Sequence, residues 1–284
     1  MQEYKTYWGA LRIAAVAMGV VLYIPTAMVF ASGDDRQEQK TSERLTPLQL
    51  EIEKLRARLS SVEAEERREA LTRLGSMHHP AASRVALSAL SDPSPMVRAT
   101  AATSVISLPA EESVASLLPL LGDKDEFVRQ QVAYALGETR SRAAVSALVE
   151  RLVDKKDSVR AAAALALGQI GDHAAVTPLA VILNPQSGLT PKKKNQKSKR
   201  ERNPFVLRAA AHSLGEIGNR AAVPALLVML QDEKAEDDVR REAAFALGEL
   251  GDTSAIPALR DALTARDPYL SQVAHEAIRR ISKS

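Results

Sequence analysis

Residues 159 to 171 read VRAAAALALGQIG, and variants of this stretch recur along the chain. The tripeptide Ala-Leu-Gly within it ends at three glycines, Gly137, Gly168 and Gly248. The first two of these glycines are 31 residues apart. A period of this length is the signature of a repeat architecture. We therefore predict one small structural unit repeated along the chain, in place of a single globular core.

Two columns of apolar residues define the repeated unit. The residue before the glycine position is apolar in all seven copies: Leu74, Val105, Leu136, Leu167, Leu214, Leu247 and Ile278. A second column lies sixteen residues upstream of the glycine position, insertions aside, and holds leucine in every copy: Leu59, Leu90, Leu121, Leu152, Leu183, Leu230 and Leu263. One regular apolar position in each half of the unit indicates two short helices, each directing one stripe of residues towards a core.

Helix boundary signals fall between these columns. Asp92-Pro93 and Asp267-Pro268 each offer an N-cap carboxylate followed by proline in the first helical turn. Gly171, Gly218 and Gly251 can take the positive φ that ends a helix. Aromatic residues make up only 4% of the chain, whereas alanine, leucine and valine are abundant, which favours closely packed helices over strands. We expect an all-helical chain whose helix pairs stack, because one pair cannot bury its apolar faces alone.

A further regularity is charged. Val-Arg pairs stand at 97–98, 128–129, 159–160 and 239–240. This pattern resembles the HEAT repeat family, in particular its short bacterial form, called phycobilisome-lyase-like, over residues 62 to 284. The resemblance implies an all-α fold, a right-handed α-solenoid of about seven HEAT-like helix pairs, in this chain preceded by an apolar export segment.

The resemblance also implies a structural ladder of aspartates and arginines between successive repeats. The residues concerned, each aspartate six positions before an arginine, are Asp92, Arg98, Asp123, Arg129, Asp154 and Arg160. Hydrogen-bonded charge pairs at this interval are expected to stabilise the stacking. Because Leu207 and Ser271 occupy the arginine column, we expect the ladder to be broken at the fifth and seventh units.

Residues 1 to 31 look like an export segment. Lys5 and Arg12 are followed by nineteen residues without a charge. Small residues before a cut suit signal peptidase, so we predict cleavage after Ala31. The alternative is an uncleaved membrane anchor at residues 8 to 31, since about twenty apolar residues span a bilayer. Either way the basic residues stay inside, which predicts an extracytoplasmic chain, in the periplasm or envelope or secreted, or else anchored with the solenoid outside.

Residues 32 to 61 are predicted to be a polar linker followed by an N-terminal capping helix. Apolar residues with a spacing of three and four mark that helix: Leu45, Leu48, Ile52, Leu55, Leu59 and Val62. Leu59 also fits the second repeat column, which favours a capping half-repeat. A short dimerising coiled coil is the alternative.

A basic insertion, residues 185 to 203, lengthens one connection of the predicted solenoid. It carries seven basic residues against one glutamate: Lys192, Lys193, Lys194, Lys197, Lys199, Arg200 and Arg202. Such a segment is a candidate site for a polyanion, either anionic lipid or an envelope polymer. Nucleic acid is not expected, because the insertion has no aromatic residue on which bases stack.

Candidate chemistry is sparse. The chain has no cysteine, which excludes thiol nucleophiles and thiolate metal sites. Residues 242 to 248 resemble deoxyhypusine hydroxylase, a two-iron HEAT enzyme, but Arg241 stands where that enzyme has histidine, and His275-Glu276 is the only His-Glu pair. Bilin lyases are similar through the repeat pattern alone. We therefore assign no catalytic, cofactor or metal residue, and keep a metal-dependent hydroxylase or bilin lyase as the alternative.

The remaining hypothesis is a binding surface. Solenoids hold large partners along an inner face, which we assign to the second helix of each unit. Val181, Ile182, Val228 and Met229 adjoin in neighbouring units and form the candidate apolar patch, unless they lie within the helix interface. The sequence thus predicts an exported or envelope-associated scaffold that binds protein partners, whose identity it does not specify.

Overall fold

Stacked helix pairs make up the chain in a computed structural model, which describes residues 45 to 184 and 203 to 283. The helices are α1 (Pro47–Arg58), α2 (Ala64–Ser76), α3 (Pro80–Ala86), α4 (Pro95–Ser104), α5 (Ala110–Leu117), α6 (Glu126–Glu138), α7 (Val145–Arg151), α8 (Asp157–Ile170), α9 (Val176–Leu183), α10 (Pro204–Ile217), α11 (Val223–Gln231), α12 (Asp237–Leu250), α13 (Ile256–Ala262) and α14 (Pro268–Ile281). Short 3-10 turns extend α3 and α5 or precede the later odd-numbered helices. Every regular element of the described residues is helical, which confirms the predicted class.

Two layers arise from the alternation of these helices. Each even-numbered helix packs against the next even-numbered one, from α2 to α14, to form a layer of long helices. The odd-numbered helices from α3 onwards are shorter and form the second layer. Each of them packs against the long helix that precedes or follows it in the chain. A long helix inside the stack, from α4 to α12, thus has a neighbour on either side and the short helices behind it, so only its fourth side faces solvent.

The two apolar columns lie between the layers. Six residues of the first column are fully buried, and only the last is half-buried: Leu74, Val105, Leu136, Leu167, Leu214, Leu247 and Ile278. In the second column Leu121, Leu152, Leu183 and Leu230 are buried, whereas Leu59, Leu90 and Leu263, towards the ends of the stack, are half-buried. Burial of this kind supplies most of the stability of a helical stack.

The predicted helix ends agree with the structure at most positions. Gly171, Gly218 and Gly251 end their helices with φ of 71°, 71° and 63°, the left-handed conformation that glycine adopts without strain. Asp267 caps α14 through the backbone N–H groups of the next two residues beyond the proline. The start predicted at Pro93 is two residues early, because Asp92 binds an arginine instead of capping a helix and α4 begins at Pro95.

The N-terminal helix α1 closes one end of the stack. It packs against α2 and α3, and Ile52 and Leu55 are buried there. Thr46 caps the helix in a capping box with Gln49. Leu45 and Leu48 of the same segment remain exposed. Within the described ranges no helix has both the length and the apolar composition needed to cross a bilayer; the predicted export segment, residues 1 to 31, lies outside those ranges.

The glycine column sets the spacing of the long helices. A Cβ atom built on Gly248 would lie 2.9 Å from the backbone Cα of Ala277 on the next long helix, and one on Gly137 would lie 2.8 Å from the Cα of Ala166. Both distances are shorter than carbon atoms tolerate, so the helices approach closely only because these positions have no side chain.

We expect Gly248→Ala to lower the free energy of unfolding by about 1 to 3 kcal/mol through overpacking. The helix propensity of alanine acts in the opposite direction, by about 1 kcal/mol. The measurement is urea unfolding followed by circular dichroism. Gly122→Ala is the matched control, since a Cβ there meets nothing within 4 Å; equal stability of the two variants would show that the column does not set the spacing.

Candidate functional site

An arginine ladder joins the first units at one edge of the stack. This edge is formed by the connections from each short helix to the next long helix, and we call it the rim. Arg98 donates from Nε and Nη2 to Asp123 at 2.8 and 2.9 Å, and from Nη1 to the carbonyls of Asp92 and Pro93 at 2.8 and 3.1 Å. The same arrangement joins Arg129 to Asp154 with both distances at 3.0 Å. Each arginine therefore grips the aspartate 25 residues ahead, in the next unit.

A further rung precedes those predicted from the sequence. Arg67 donates to Asp92 at 2.7 and 2.8 Å. The residue before it is Glu66, not valine, so the Val-Arg pattern does not mark it. The repeat period nonetheless identifies it, because Arg67 stands 31 residues before Arg98.

The ladder keeps its aspartates ionised. The hydrogen bonds from Arg98 lower the pKa of Asp123; burial acts in the opposite direction, and the backbone N–H of Asp125 adds to the lowering. The pKa of Asp92 is lowered in the same way by Arg67, again against burial and with the N–H of Ser94 contributing. These carboxylates therefore stabilise the fold in their charged form.

Beyond the fourth unit the rim is joined differently. Arg160 donates to the carbonyl of Asp154 at 2.9 Å and pairs with Asp157, whose other oxygen accepts from Asn203 Nδ2 at 2.7 Å. Leu207 is buried. Ser271 donates to the carbonyl of Leu263 at 2.9 Å. At the two positions where the sequence lacks the arginine, Leu207 is thus part of the core and Ser271 bonds within its own helix pair.

The predicted apolar patch is wrong at Met229, which is fully buried. Leu226, Met229 and Leu230 share one face of α11 and all lie in the core, because residues three and four apart in a helix point the same way. Ile182 is half-buried against the core. Val181 is half-buried too, and only Val228, 42% exposed, lies well in the open.

The exposed apolar surface lies on the long helices instead. Five phenylalanine and tyrosine residues fall within the described ranges, and none of them is buried. Phe127, Phe205 and Tyr269 are each the second residue of a long helix, and Tyr134 and Phe245 are each the ninth residue of one. Since residues seven apart lie on one side of a helix, all five share one side of the layer, where four are exposed and Tyr134 is half-buried against the core. We call them the aromatic rows.

Arginines hold three of these aromatic side chains. The guanidinium carbon of Arg280 lies 5.7 Å from the ring centre of Phe245, and that of Arg241 lies 5.6 Å from Tyr269. Each arginine also pairs with a carboxylate, Arg280 with Glu249 and Arg241 with Asp267. These contacts join neighbouring long helices, α12 and α14, and fix the orientation of exposed rings.

The third of these arrangements is on α10. Arg208 lies 5.8 Å from the centre of Phe205 and pairs with Asp238 of the next long helix at 3.1 Å.

Two clefts adjoin the rings. A cleft of about 150 Å³ lies beside Phe205 and reaches His212, and one of about 70 Å³ lies beside Phe245. Both are well below the roughly 300 Å³ of a typical small-molecule pocket, so they match single side chains better than a metabolite.

The histidines of the described residues are dispersed, and only His212 and His275 lie on long helices. His212 Nδ1 lies 2.9 Å from Glu242 Oε1, and its Nε2 lies 3.6 Å from Glu216. His275 is exposed, and Glu276 pairs with Arg279 at 2.9 Å. The parts of the chain that the structure describes contain no group of three or more His, Asp or Glu side chains placed to hold a metal ion. The basic insertion, apart from Asn203, lies outside the described residues.

A sequence signal for the aromatic rows did exist. Met96, Phe127, Phe205 and Tyr269 share one column, immediately before the buried residue of the Val-Arg position. Large apolar residues in a column next to a buried one, on the opposite side of the helix, indicate a surface kept apolar. This column lies on the first helix of each unit, whereas the sequence predicts the partner-binding face on the second.

Comparison with known proteins supports the repeat architecture. The sequence matches the family described as HEAT repeats over residues 52–137, 114–188 and 196–282. No protein with a curated description matches it significantly.

Solved structures show the fold. The Escherichia coli protein YibA is 22% identical, with a TM-score of 0.55 over 83% of this chain and 82% of that one. CpcE and CpcF of the Nostoc phycocyanin lyase are 21% identical over 89% and 92%, with a TM-score of 0.48. Human deoxyhypusine hydroxylase is 20% identical over 82% and 85%, with a TM-score of 0.41. Identities this low show the fold alone.

Proposed function

Because this chain belongs to the HEAT repeat family, we propose that it is a binding scaffold that takes a segment of another protein along the aromatic rows. One observation carries the proposal. Four of the five described phenylalanine and tyrosine residues, Phe127, Phe205, Phe245 and Tyr269, are exposed on the long helices, and the fifth, Tyr134, is half-buried against the core. Aromatic side chains are large contributors to burial, so a fold that leaves most of them outside its core keeps them for contact with something else.

The geometry around the rings favours binding. Phe205, Phe245 and Tyr269 are each under an arginine that a carboxylate holds, so little side-chain entropy is lost when a partner covers them. Tyrosine and arginine are enriched among the residues that dominate interface energies. The rings lie on α6, α10, α12 and α14, in the first turn of the helix or two turns further on. We expect an extended partner segment that places side chains in the clefts beside Phe205 and Phe245.

The test is a triple variant, Phe127→Gln, Phe205→Gln and Phe245→Gln, in the full chain carrying an affinity tag. These rings are 39%, 43% and 44% exposed, so thermal stability is expected to hold. Capture from an envelope extract is expected to lose at least one protein that the wild type retains reproducibly, by tenfold or more. The loss reflects removal of central aromatic anchors.

The matched control places glutamine at three exposed positions in the short-helix layer: Ala115→Gln, Ser146→Gln and Ala221→Gln. This variant is expected to capture the same proteins as the wild type. If the control loses its partner and the aromatic triple variant keeps it, the binding face is the short-helix layer and the proposal is wrong.

The location of the scaffold is a second part of the proposal. It rests on the sequence of residues 1 to 31 alone, with basic residues before an uncharged apolar run. We expect the mature protein to begin at Ser32 and to be recovered outside the cytoplasm. Sequencing of the purified N-terminus measures this. Intact Met1 or Gln2 on membrane-bound protein would establish the anchor instead.

A further inference from the structure

Arg151 is an arginine inside the stack at a position that is otherwise apolar. It stands one position before the leucine of the second column, where the terminal unit has Arg58, paired with Glu69 at 2.7 Å, and the five other units carry apolar residues that are buried or packed against the core: Ala89, Leu120, Ile182, Met229 and Ala262. Burying a guanidinium at such a position costs free energy. Packing alone therefore does not explain why arginine is there. Breaks of a local rule are expected where a chain has a function.

The guanidinium of Arg151 is only partly satisfied. Its Nη1 donates to the carbonyl of Leu121 at 3.1 Å, and its Nη2 lies 3.5 Å from the exposed side chain of Glu150. Its Nε is buried and has no hydrogen-bond partner among the described residues. In the ladder, Nε and Nη2 together grip an aspartate at 2.7 to 3.0 Å, three times over. In Arg151 that same edge is without a well-placed carboxylate.

A shallow depression of about 470 Å³, largely open to solvent, lies at the rim around this side chain, and we call it the rim cleft. Four basic and two acidic residues line it: Lys124, Arg129, Arg151, Lys155, Asp123 and Asp154. The lining therefore carries +2, four positive charges minus two negative ones. Both carboxylates are already held by ladder arginines, so the lining cations that take no part in the ladder are Lys124, Arg151 and Lys155.

We propose that the rim cleft binds a carboxylate side chain of an acidic peptide segment. The carboxylate enters between Lys124 and Lys155 and pairs with the Nε and Nη2 edge of Arg151, after a small rotation of the guanidinium that exposes Nε. The preference for a carboxylate follows from the chain itself, which closes the same arginine edge with aspartate at each rung. Val153, 66% exposed, lines the cleft as well and offers an apolar contact to the same segment.

This site is separate from the aromatic rows, so the two proposals stand or fall independently. The probe is a fluorescein-labelled peptide of five glutamates and one leucine, titrated by anisotropy against the full chain at about 0.15 M salt, where distant charges are screened. The titration is repeated in a chain whose seven basic residues in the insertion are serine, which removes competing attraction. Arg151→Leu restores the apolar column and should fold normally. It is expected to weaken peptide binding at least tenfold in both backgrounds, and Lys124→Ser with Lys155→Ser to do the same.

Lys156→Ser is the matched control, because it removes one positive charge from the same connection but from a residue outside the cleft that pairs with Glu126. It is expected to change the Kd less than twofold. A peptide with glutamine in place of glutamate should not bind. The proposal is overturned if Lys156→Ser weakens binding as much as Arg151→Leu does, or if the glutamine peptide binds as well as the glutamate peptide. It is also overturned if vesicles of anionic phospholipid bind through Arg151 and displace the peptide, because that result assigns the cleft to lipid phosphate.

Discussion

Arg129→Ala is expected to lower the free energy of unfolding by roughly 3 kcal/mol, because it leaves the carboxylate of Asp154 buried without its partner. The two side chains are 5% and 7% exposed. The arginine also satisfies backbone carbonyls of the preceding connection, Asp123 and Lys124, at 2.8 and 3.3 Å. One substitution therefore removes contacts to two successive units. Urea unfolding of the full chain gives the value.

Two control variants distinguish the loss of a buried ion pair from the loss of a charge at the surface. Arg208→Ala removes an ion pair of similar length, 3.1 Å, whose side chains are 44% and 40% exposed, and it should cost no more than about 1 kcal/mol. Replacing both partners, with Arg129→Met and Asp154→Leu, should recover much of the loss. A loss below about 1 kcal/mol for Arg129→Ala would show that the ladder does not support the stack.

The same ladder predicts acid sensitivity. The pKa of Asp92, Asp123 and Asp154 is lowered in the folded chain, so their contribution is fully present above the ordinary aspartate pKa of about 4. It is lost as the pH falls through the lower, folded values. Wild type should therefore lose more stability below about pH 4 than the Arg129→Met, Asp154→Leu variant, which has one rung fewer to protonate.

Leu167→Ala is the second large effect, with an expected loss of about 2 to 5 kcal/mol. Leu167 is fully buried between the layers of the central units, where neighbours on both sides limit how far the stack can collapse into the cavity. Val228→Ala is the matched aliphatic control, since Val228 is 42% exposed and surface changes usually stay within about 0.5 kcal/mol. Similar losses for the two would mean that the column of Leu167 is not core.

The repeat fold was predictable because its determinants are local and recur. A leucine in each short helix and an apolar residue before each glycine are both needed to bury a stripe, so Leu136 and Leu167 identify their positions from spacing alone. The glycines that end helices are equally local. Arg67 obeys the same spacing, 31 residues before Arg98, although Glu66 precedes it in place of valine.

The candidate surface was harder to predict. Residues 226 to 230 read LLVML, and a run without polar residues gives a helix no phase, so the sequence could not separate buried Met229 from exposed Val228. The aromatic rows depend on which side of a long helix its neighbours leave open. That side is fixed by the packing of three or more helices, and no single repeat contains the information.

The proposal that this chain binds a protein segment on the aromatic rows is tested most directly by photo-crosslinking in the living cell. A photoreactive phenylalanine derivative replaces Phe205 or Phe245, or, on the other layer, Ser146. The account predicts the same discrete protein adduct from positions 205 and 245, and none from 146. An adduct from position 146 with none from 205 or 245 would contradict it.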